Sequence, residues 1–172
     1  DDMNTGIMVS DAAVNIKPSE KTLRTVTETM VKSLKLLGIK TPKIAFLSAS
    51  ELVMENMEST VVAQNLKEWA KENIRDAFFS GPLALDLIIS REAALKKGLG
   101  NDPVAGQSHG IVVPEIVSGN TLYKSLVYFA GGCAAGIVLG AKVPVLLTSR
   151  ADPPEARLAS IALASILSDE MP

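Results

Sequence analysis

Apolar and polar positions form two patterns along the chain, one typical of helices and one typical of buried strands. From Leu23 to Leu37, apolar residues recur at spacings of three and four, which predicts an amphipathic helix. Ser19 is suited to cap its N-terminus, and Gly38 to end it. Between such stretches lie short apolar runs typical of buried strands, at residues 7–9, 43–48, 77–79 and 110–113.

The same patterns predict further helices and one hairpin. Val62, Leu66 and Trp69 mark one face of a second helix. Apolar runs flank Gly140 on both sides and predict a hairpin or an edge pair. Strands that alternate with helices indicate a mostly parallel sheet covered on both faces. The hairpin runs lie at 135–139 and 143–147, and the later helices at 91–97, 120–129 and 154–167.

Composition narrows the class of protein. The chain has 172 residues and a net charge of -2, which suits one domain, or one domain plus a piece of another. The charge gives no case for a nucleic-acid partner or a membrane surface. Lys142 and Arg150 interrupt the longest apolar region, so we expect no membrane span, and the first residues lack the pattern of a signal peptide. The lone Cys133 favours a reducing, cytoplasmic setting, and the lone His109 argues against a metal site.

Candidate ligand-binding residues follow the predicted strands, because ligands of such sheets bind beyond the carboxyl ends of strands. Ser149 and Arg150 precede the last helix and suit an anion site, since arginine offers a planar fork of donors. The alternative is a surface ion pair of Arg150 with Asp152 or Glu155. The other residues so placed are Asp11, Ser48, the Ser80-Gly81-Pro82 turn and Pro114-Glu115.

The helix predicted over 120–129 offers a second group of candidates. Asn120 lies where it either caps this helix or faces a ligand. Lys124 falls in the predicted first turn, where it either reaches a phosphate or is solvated. Gly81 and Pro82 are explained by turn chemistry alone or by a place in a cleft.

Four stretches of the chain resemble the phosphate acetyl/butyryl transferase family and occur in the same order. The resemblance is closer to the butyryltransferase branch than to the acetyltransferase branch. The resemblance runs from about Met8 to Leu167 and corresponds to the C-terminal part of such enzymes. It implies a three-layer α/β/α sandwich with a mostly parallel sheet, similar to isocitrate and isopropylmalate dehydrogenases. The stretches are SDAAVNIKPS, SGPLALD, VVPEIVSGNTLYKSLVYFAG and TSRADPPEARLASIALA.

The resemblance also implies a division into domains and an enzymatic activity. Residues 1–148 would form the second domain of a phosphotransacylase, and residues 149–172 a C-terminal helix that normally packs on the first domain. The activity would be reversible acyl transfer between acyl-CoA and phosphate, with coenzyme A as substrate and no other cofactor. The alternative is a non-catalytic fragment or binding module with the same fold. A dehydrogenase is disfavoured, because no Gly-x-Gly-x-x-Gly follows a strand.

Site residues carry over from the family position by position. Ser149 and Arg150 would hold phosphate and the reacting carbonyl. The acetyltransferase branch has an acid where this chain has Ala156, so Glu155 is the nearest candidate for the base. The further substrate-binding candidates are Asn120, Lys124, Gly81, Pro82 and Asp11, and no metal is expected.

The last helix predicts a quaternary structure as well. An apolar stripe runs along it through Leu158, Ala162, Leu163 and Ile166. Such a stripe has to fold back on its own domain or be buried against another chain. We favour self-association as a homodimer or larger, which is also common in the family.

Overall fold

The computed structural model describes residues 6–141, 143–149 and 151–168. Its central sheet has four strands in the order β1-β4-β2-β3, and every pair is parallel. Two further strands, β5 and β6, form a separate antiparallel hairpin, as predicted. The strands are β1 (Met8–Ser10), β2 (Lys43–Leu47), β3 (Phe78–Leu83), β4 (Gly110–Val112), β5 (Ile137–Val138) and β6 (Val145–Leu146).

Helices connect these strands and cover the sheet. The first begins after Ser19, whose hydroxyl oxygen accepts a hydrogen bond from the Thr22 N–H at 3.2 Å, which confirms the predicted cap. Gly38, with φ of 93°, follows its end. The described helices are α1 (Glu20–Leu36), α2 (Glu58–Asn73), α3 (Leu85–Ile89), α4 (Arg91–Lys96), α5 (Ile116–Tyr128) and α6 (Pro154–Ser168).

Two apolar cores lie on opposite faces of the sheet. Successive residues of a strand point to opposite faces, so Ile44 and Phe46 pack with α1 and α2, whereas Ala45 belongs to the other core. That second core contains Leu87 of α3 and Val104 of the loop after α4. The predicted three-layer α/β/α arrangement is therefore confirmed.

Three sequence-based boundaries are wrong. Gly81 and Pro82 were predicted to form a turn after a strand, but both lie inside β3. A short helix, α3, then follows, which no periodicity indicated. The helix predicted from Asn120 begins four residues earlier, at Ile116, because Glu115 caps it. Tyr123 and Lys124 consequently lie in the middle of α5 and not in its first turn.

The hairpin and α6 pack on each other. The Gly136 N–H donates to the Ser160 hydroxyl at 3.0 Å, and the Leu147 N–H donates to the Gly136 carbonyl at 3.0 Å. A Cβ at position 136 would stand 2.2 Å from the Leu147 carbonyl oxygen, so this contact requires glycine. α6 also contacts α1 and buries Ala156, Ser160 and Leu167, but its other apolar side chains stay largely exposed.

Candidate functional site

Asp11 organises the loop that follows β1. One of its carboxylate oxygens accepts hydrogen bonds from the N–H groups of Ala13 and Val14, at 2.8 and 3.0 Å. The other accepts both the backbone N–H and the side-chain amide of Asn15, each at 2.7 Å. Partial burial alone would raise the pKa of Asp11, but these hydrogen bonds favour the charged form and hold its pKa below the ordinary value. Asp11 therefore shapes this loop through its carboxylate.

Glu115 occupies the equivalent place after β4 and caps α5. Its carboxylate accepts hydrogen bonds from the N–H groups of Val117 and Ser118, each at 2.7 Å, and from the Ser118 hydroxyl. The Ser118 hydroxyl contributes most to lowering the pKa of Glu115; burial opposes it, and the backbone N–H groups of Ser118 and Val117 lower the pKa further. The start of α5 is thus already supplied with an anion by the chain itself.

The loop after β1 and helix α5 are in close contact. A Cβ at Gly119 would stand 2.2 Å from the Asp11 carbonyl oxygen, so only glycine allows the helix to lie there. One residue further, the Asn120 side-chain amide donates to the Ala12 carbonyl at 3.1 Å. The structure therefore brings Asp11 and Asn120 together, with Asn120 as a bridge between α5 and the loop and not as a helix cap.

Tyr123 and Lys124 lie one turn further along α5. The Lys124 ammonium stands 5.5 Å from the centre of the Tyr123 ring and 5.8 Å from that of Tyr128, which are cation–π distances. The Tyr123 hydroxyl donates to the Asp152 carboxylate at 3.3 Å, longer than a usual O–H···O bond. Burial, followed by the Asp152 charge, raises the pKa of Tyr123.

Ser149 follows β6 and is joined to Asp152 by two hydrogen bonds. The Ser149 N–H donates to the Asp152 carboxylate at 2.5 Å, and the Asp152 N–H donates to the Ser149 carbonyl at 3.0 Å. Asp152 is only 9% exposed. Sequence reasoning treated it solely as a surface partner of Arg150. Arg150 itself lies outside the described residues, so its predicted role in an anion site stays a prediction.

The candidate base lies on the first turn of α6. Glu155 is exposed there, and no hydrogen bond or ion pair of its carboxylate is found in the part of the chain that the structure describes. The next residue, Ala156, is buried beneath it. A carboxylate at position 156 would point into the packing of α6, whereas that of Glu155 is open to solvent.

Gly81 and Pro82 lie apart from this group. They are buried in β3, at the opposite edge of the sheet from β1. A Cβ at Gly81 would stand 2.7 Å from that of Phe46, so the glycine serves the packing of β3 against β2. Their predicted contact with substrate stays a prediction.

The described residues offer neither a metal-binding cluster nor a membrane-spanning helix. They contain no group of three or more His, Cys, Asp or Glu side chains placed to hold a metal ion. Over the same residues, no helix is both long and apolar enough to cross a membrane. A surface concavity of about 460 Å³ lies between the ends of α1 and α2, lined by Lys32, Lys35 and Arg75 among others, away from the residues above.

Comparison with known sequences identifies relatives over nearly the whole chain. A protein of Bacillus subtilis (strain 168) described as a probable phosphate butyryltransferase is 44% identical over 98% of this chain and 56% of its own length. The phosphate butyryltransferase of Clostridium acetobutylicum is 37% identical over 94% of this chain and 54% of its own. The chain thus spans about half the length of these curated relatives.

Solved structures agree with the sequence comparison. A branched-chain phosphotransacylase from Enterococcus faecalis V583 superposes with a TM-score of 0.85 at 39% identity, over 92% of this chain and 56% of that one. A phosphotransacetylase from Streptococcus pyogenes superposes with a TM-score of 0.84 at 26% identity, over 99% and 52%. The family described as phosphate acetyl/butaryl transferase matches residues 3–165. The chain therefore belongs to the phosphate acetyl/butyryl transferase family.

Proposed function

We propose that the native protein transfers an acyl group reversibly between coenzyme A and phosphate. A phosphate oxygen attacks the thioester carbonyl carbon, the C–O bond forms as the C–S bond breaks, and acyl phosphate and CoA result. The observation that carries this proposal is the family match through residues 3–165, which includes Ser149 and Arg150. Coenzyme A is a substrate here, and the proposal needs no other cofactor or metal.

In the reverse direction the CoA sulfur attacks the acyl phosphate carbonyl directly, without an acyl-enzyme. Free thiols are mostly protonated at neutral pH, so the reaction needs a group that accepts this proton. We assign this task to Glu155, whose carboxylate is exposed on the first turn of α6. As acyl-CoA forms, the phosphate leaves with the electron pair of the broken C–O bond.

Ser149 and Arg150 are assigned to the phosphate and the reacting carbonyl. The arginine fork suits two phosphate oxygens, and a donor aimed at the developing oxyanion stabilises the transition state more than the ground state. Lys124 adds a positive charge on α5. Asn120 joins α5 to the loop after β1, and the Asp11 carboxylate holds the shape of that loop, so both would act at the carboxyl end of β1. Gly81 and Pro82 would contribute through the shape of β3.

We also propose a domain organisation, an oligomeric state and a cellular location for the protein. Residues 1–148 would form the second domain of the enzyme, and residues 149–172 would carry the helix that packs on a first domain. A homodimer or larger assembly is supported by the apolar side chains that α6 exposes. A cytoplasmic setting is supported by the exposed lone thiol of Cys133, which a reducing compartment keeps free.

The activity is tested with the native protein expressed from its complete gene. Butyryl-CoA or acetyl-CoA should release free thiol, measured with dithionitrobenzoate, only when phosphate is present. Arg150→Ala should lower kcat by ~10²–10³-fold, and Arg150→Lys nearly as much, because lysine lacks the planar fork. Arg75→Lys, far from the site, is the matched control and should leave kcat unchanged.

Two outcomes would contradict the proposal. Thiol release that does not depend on phosphate would indicate a thioesterase. No release with any short acyl-CoA would favour a non-catalytic binding module. If Arg150→Lys kept the parent activity, Arg150 would act only as a point charge.

A further inference from the structure

We propose that Asp152 is a positioning residue, whose buried carboxylate fixes Ser149 relative to helix α5. This inference deepens the proposed function and rests on it, because the task of Ser149 comes from that function. Neither the family match nor the names of the relatives assigns a role to Asp152. The proposal is carried by the contacts of its two carboxylate oxygens.

The Asp152 carboxylate contacts residues that precede it in the chain and not the N–H groups of the helix that follows it. An aspartate just before a helix usually caps the N–H groups of the first turn. Here one oxygen accepts the Ser149 N–H at 2.5 Å and the other accepts the Tyr123 hydroxyl at 3.3 Å. Within the described residues, no N–H of α6 donates to this carboxylate. Helix capping therefore does not explain why Asp152 is buried.

The contact with Ser149 is the stronger of the two. Both bonds are charge-assisted, because each donor faces a carboxylate, and such bonds are about twice as strong as neutral ones. The Ser149 N–H lies at 2.5 Å from its oxygen and the Tyr123 hydroxyl at 3.3 Å. At 9% exposure, little water competes for the carboxylate. The second bond between the two residues, from the Asp152 N–H to the Ser149 carbonyl, fixes the backbone of Ser149 at both of its polar groups.

The contact with Tyr123 joins this segment to the rest of the site. Tyr123 lies on α5, which is held against the loop after β1 by the Asn120 amide and by the close approach at Gly119. A chain of contacts thus runs from the carboxyl end of β1 through α5 to Asp152 and Ser149. The direct bond at 3.3 Å is long, so Tyr123 contributes less to this chain than the Ser149 N–H does.

A positioning role also fits the chemistry around Ser149. A carboxylate would repel phosphate, so Asp152 is better suited to orient the chain, through the Ser149 N–H and the Tyr123 hydroxyl, than to bind phosphate itself. Asp152 is also less accessible to a thiol than Glu155, because Asp152 is buried and Glu155 is exposed. Orientation of a reacting group within about 1 Å accounts for up to ~10²-fold in rate.

The test compares three variants of the native protein expressed from its complete gene. Asp152→Asn keeps the size of the side chain and removes its charge. Tyr123→Phe removes only the hydroxyl. Asp76→Asn makes the same chemical change as the first at an exposed residue, and it is the matched control.

Three measurements are made on each variant. Steady-state kinetics give kcat and the KM for acyl-CoA and phosphate. Amide hydrogen exchange reports the Ser149 N–H, whose intrinsic exchange rate does not depend on a side chain three residues away. The absorbance of tyrosinate against pH, with Tyr123→Phe subtracted, reports the Tyr123 hydroxyl.

The expected result has four parts. Asp152→Asn lowers kcat by about 10- to 100-fold with a smaller change in either KM, because orientation and not binding is lost. Its Ser149 N–H exchanges about 10-fold faster, since a charge-assisted acceptor is gone. The pKa of Tyr123 falls towards its ordinary value, although burial still raises it. Tyr123→Phe has a smaller effect on kcat, and Asp76→Asn has none.

Two results overturn the proposal, and they are distinguishable. If the parent is active and Asp152→Asn keeps its kcat, or loses kcat while Ser149 N–H exchange stays slow, Asp152 does not position Ser149. If the parent shows no phosphate-dependent acyl transfer, the proposed function fails, and the positioning role fails with it.

Discussion

The parallel sheet and the C-terminal hairpin with α6 bury apolar side chains to very different extents. In the sheet, Ile44, Leu87 and Val104 are 0% exposed and belong to one of two filled cores. In the C-terminal region, Val143 of the hairpin is 65% exposed and Leu158 of α6 is 68% exposed. The sheet region has two filled cores within the chain, whereas the C-terminal region presents much of its apolar surface outwards. The first region is expected to depend on its own packing and the second on contacts with another chain or domain.

The largest expected effect compares the same substitution in both regions. Leu87→Ala in the second core should lower the free energy of unfolding by about 3 kcal/mol, because it removes buried methyl groups and leaves a cavity. Leu158→Ala on α6 should change it by about 0.5 kcal/mol or less in the monomer. Urea denaturation of the two variants and the parent decides this. Equal losses would show that Leu158 is buried in solution, and the comparison of the regions would be wrong.

The second prediction concerns self-association of the 172-residue chain. If the exposed face of α6 is buried between copies, Leu158→Lys should weaken dimerisation by about 2 kcal/mol, the size expected for an anchoring residue. Leu95→Lys is the matched control, because Leu95 is 57% exposed on α4 of the sheet region. Light scattering across a range of concentrations measures both. A chain that is monomeric at all concentrations, or equal weakening by both variants, would rule out this interface.

The smallest expected effect concerns the Glu115 cap and its dependence on pH. The folded pKa of Glu115 is lowered, so its stabilising effect is present above the unfolded value of about 4.5 and is lost as pH falls through the folded value. Glu115→Gln should therefore lower the free energy of unfolding by about 1 kcal/mol at pH 7. Towards pH 3 the variant and the parent should become equally stable. Urea denaturation at several pH values measures the difference, and a difference independent of pH would mean that the charge is not responsible.

The order of strands and helices could be predicted because helix end signals and apolar runs are both local features of the sequence. Ser19 and Gly38 bound α1 where the sequence indicates, and the short apolar runs are the strands of the parallel sheet. The pattern failed at β3, because a Gly-Pro pair usually marks a turn. Here Gly81 lies inside the strand, since the Phe46 side chain leaves room for no larger residue. That contact comes from β2 and is not visible in the local sequence.

The candidate site was less predictable, because its geometry depends on contacts between distant residues. The position of Asn120 on α5 follows from the Glu115 cap, yet asparagine is itself a preferred cap, so its place in the sequence was ambiguous. The Asp152 carboxylate accepts a hydrogen bond from the Tyr123 hydroxyl, 29 residues away. No spacing rule predicts such a pair. The placement of Asp11, Glu115 and Ser149 after strands could be inferred from the sequence.

The close approach at Gly119 has a consequence for how this part of the molecule can move. Because α5 lies against the Asp11 carbonyl with no room for a Cβ, helix and loop are expected to move as a rigid body. When the Asp152 contacts to Ser149 and Tyr123 break, displacement of Ser149 relative to that body has to be absorbed by the chain between Tyr128 and Ile137. Gly131, with φ of 68°, lies in this stretch next to Gly132. We therefore expect the hinge of the C-terminal hairpin to lie there.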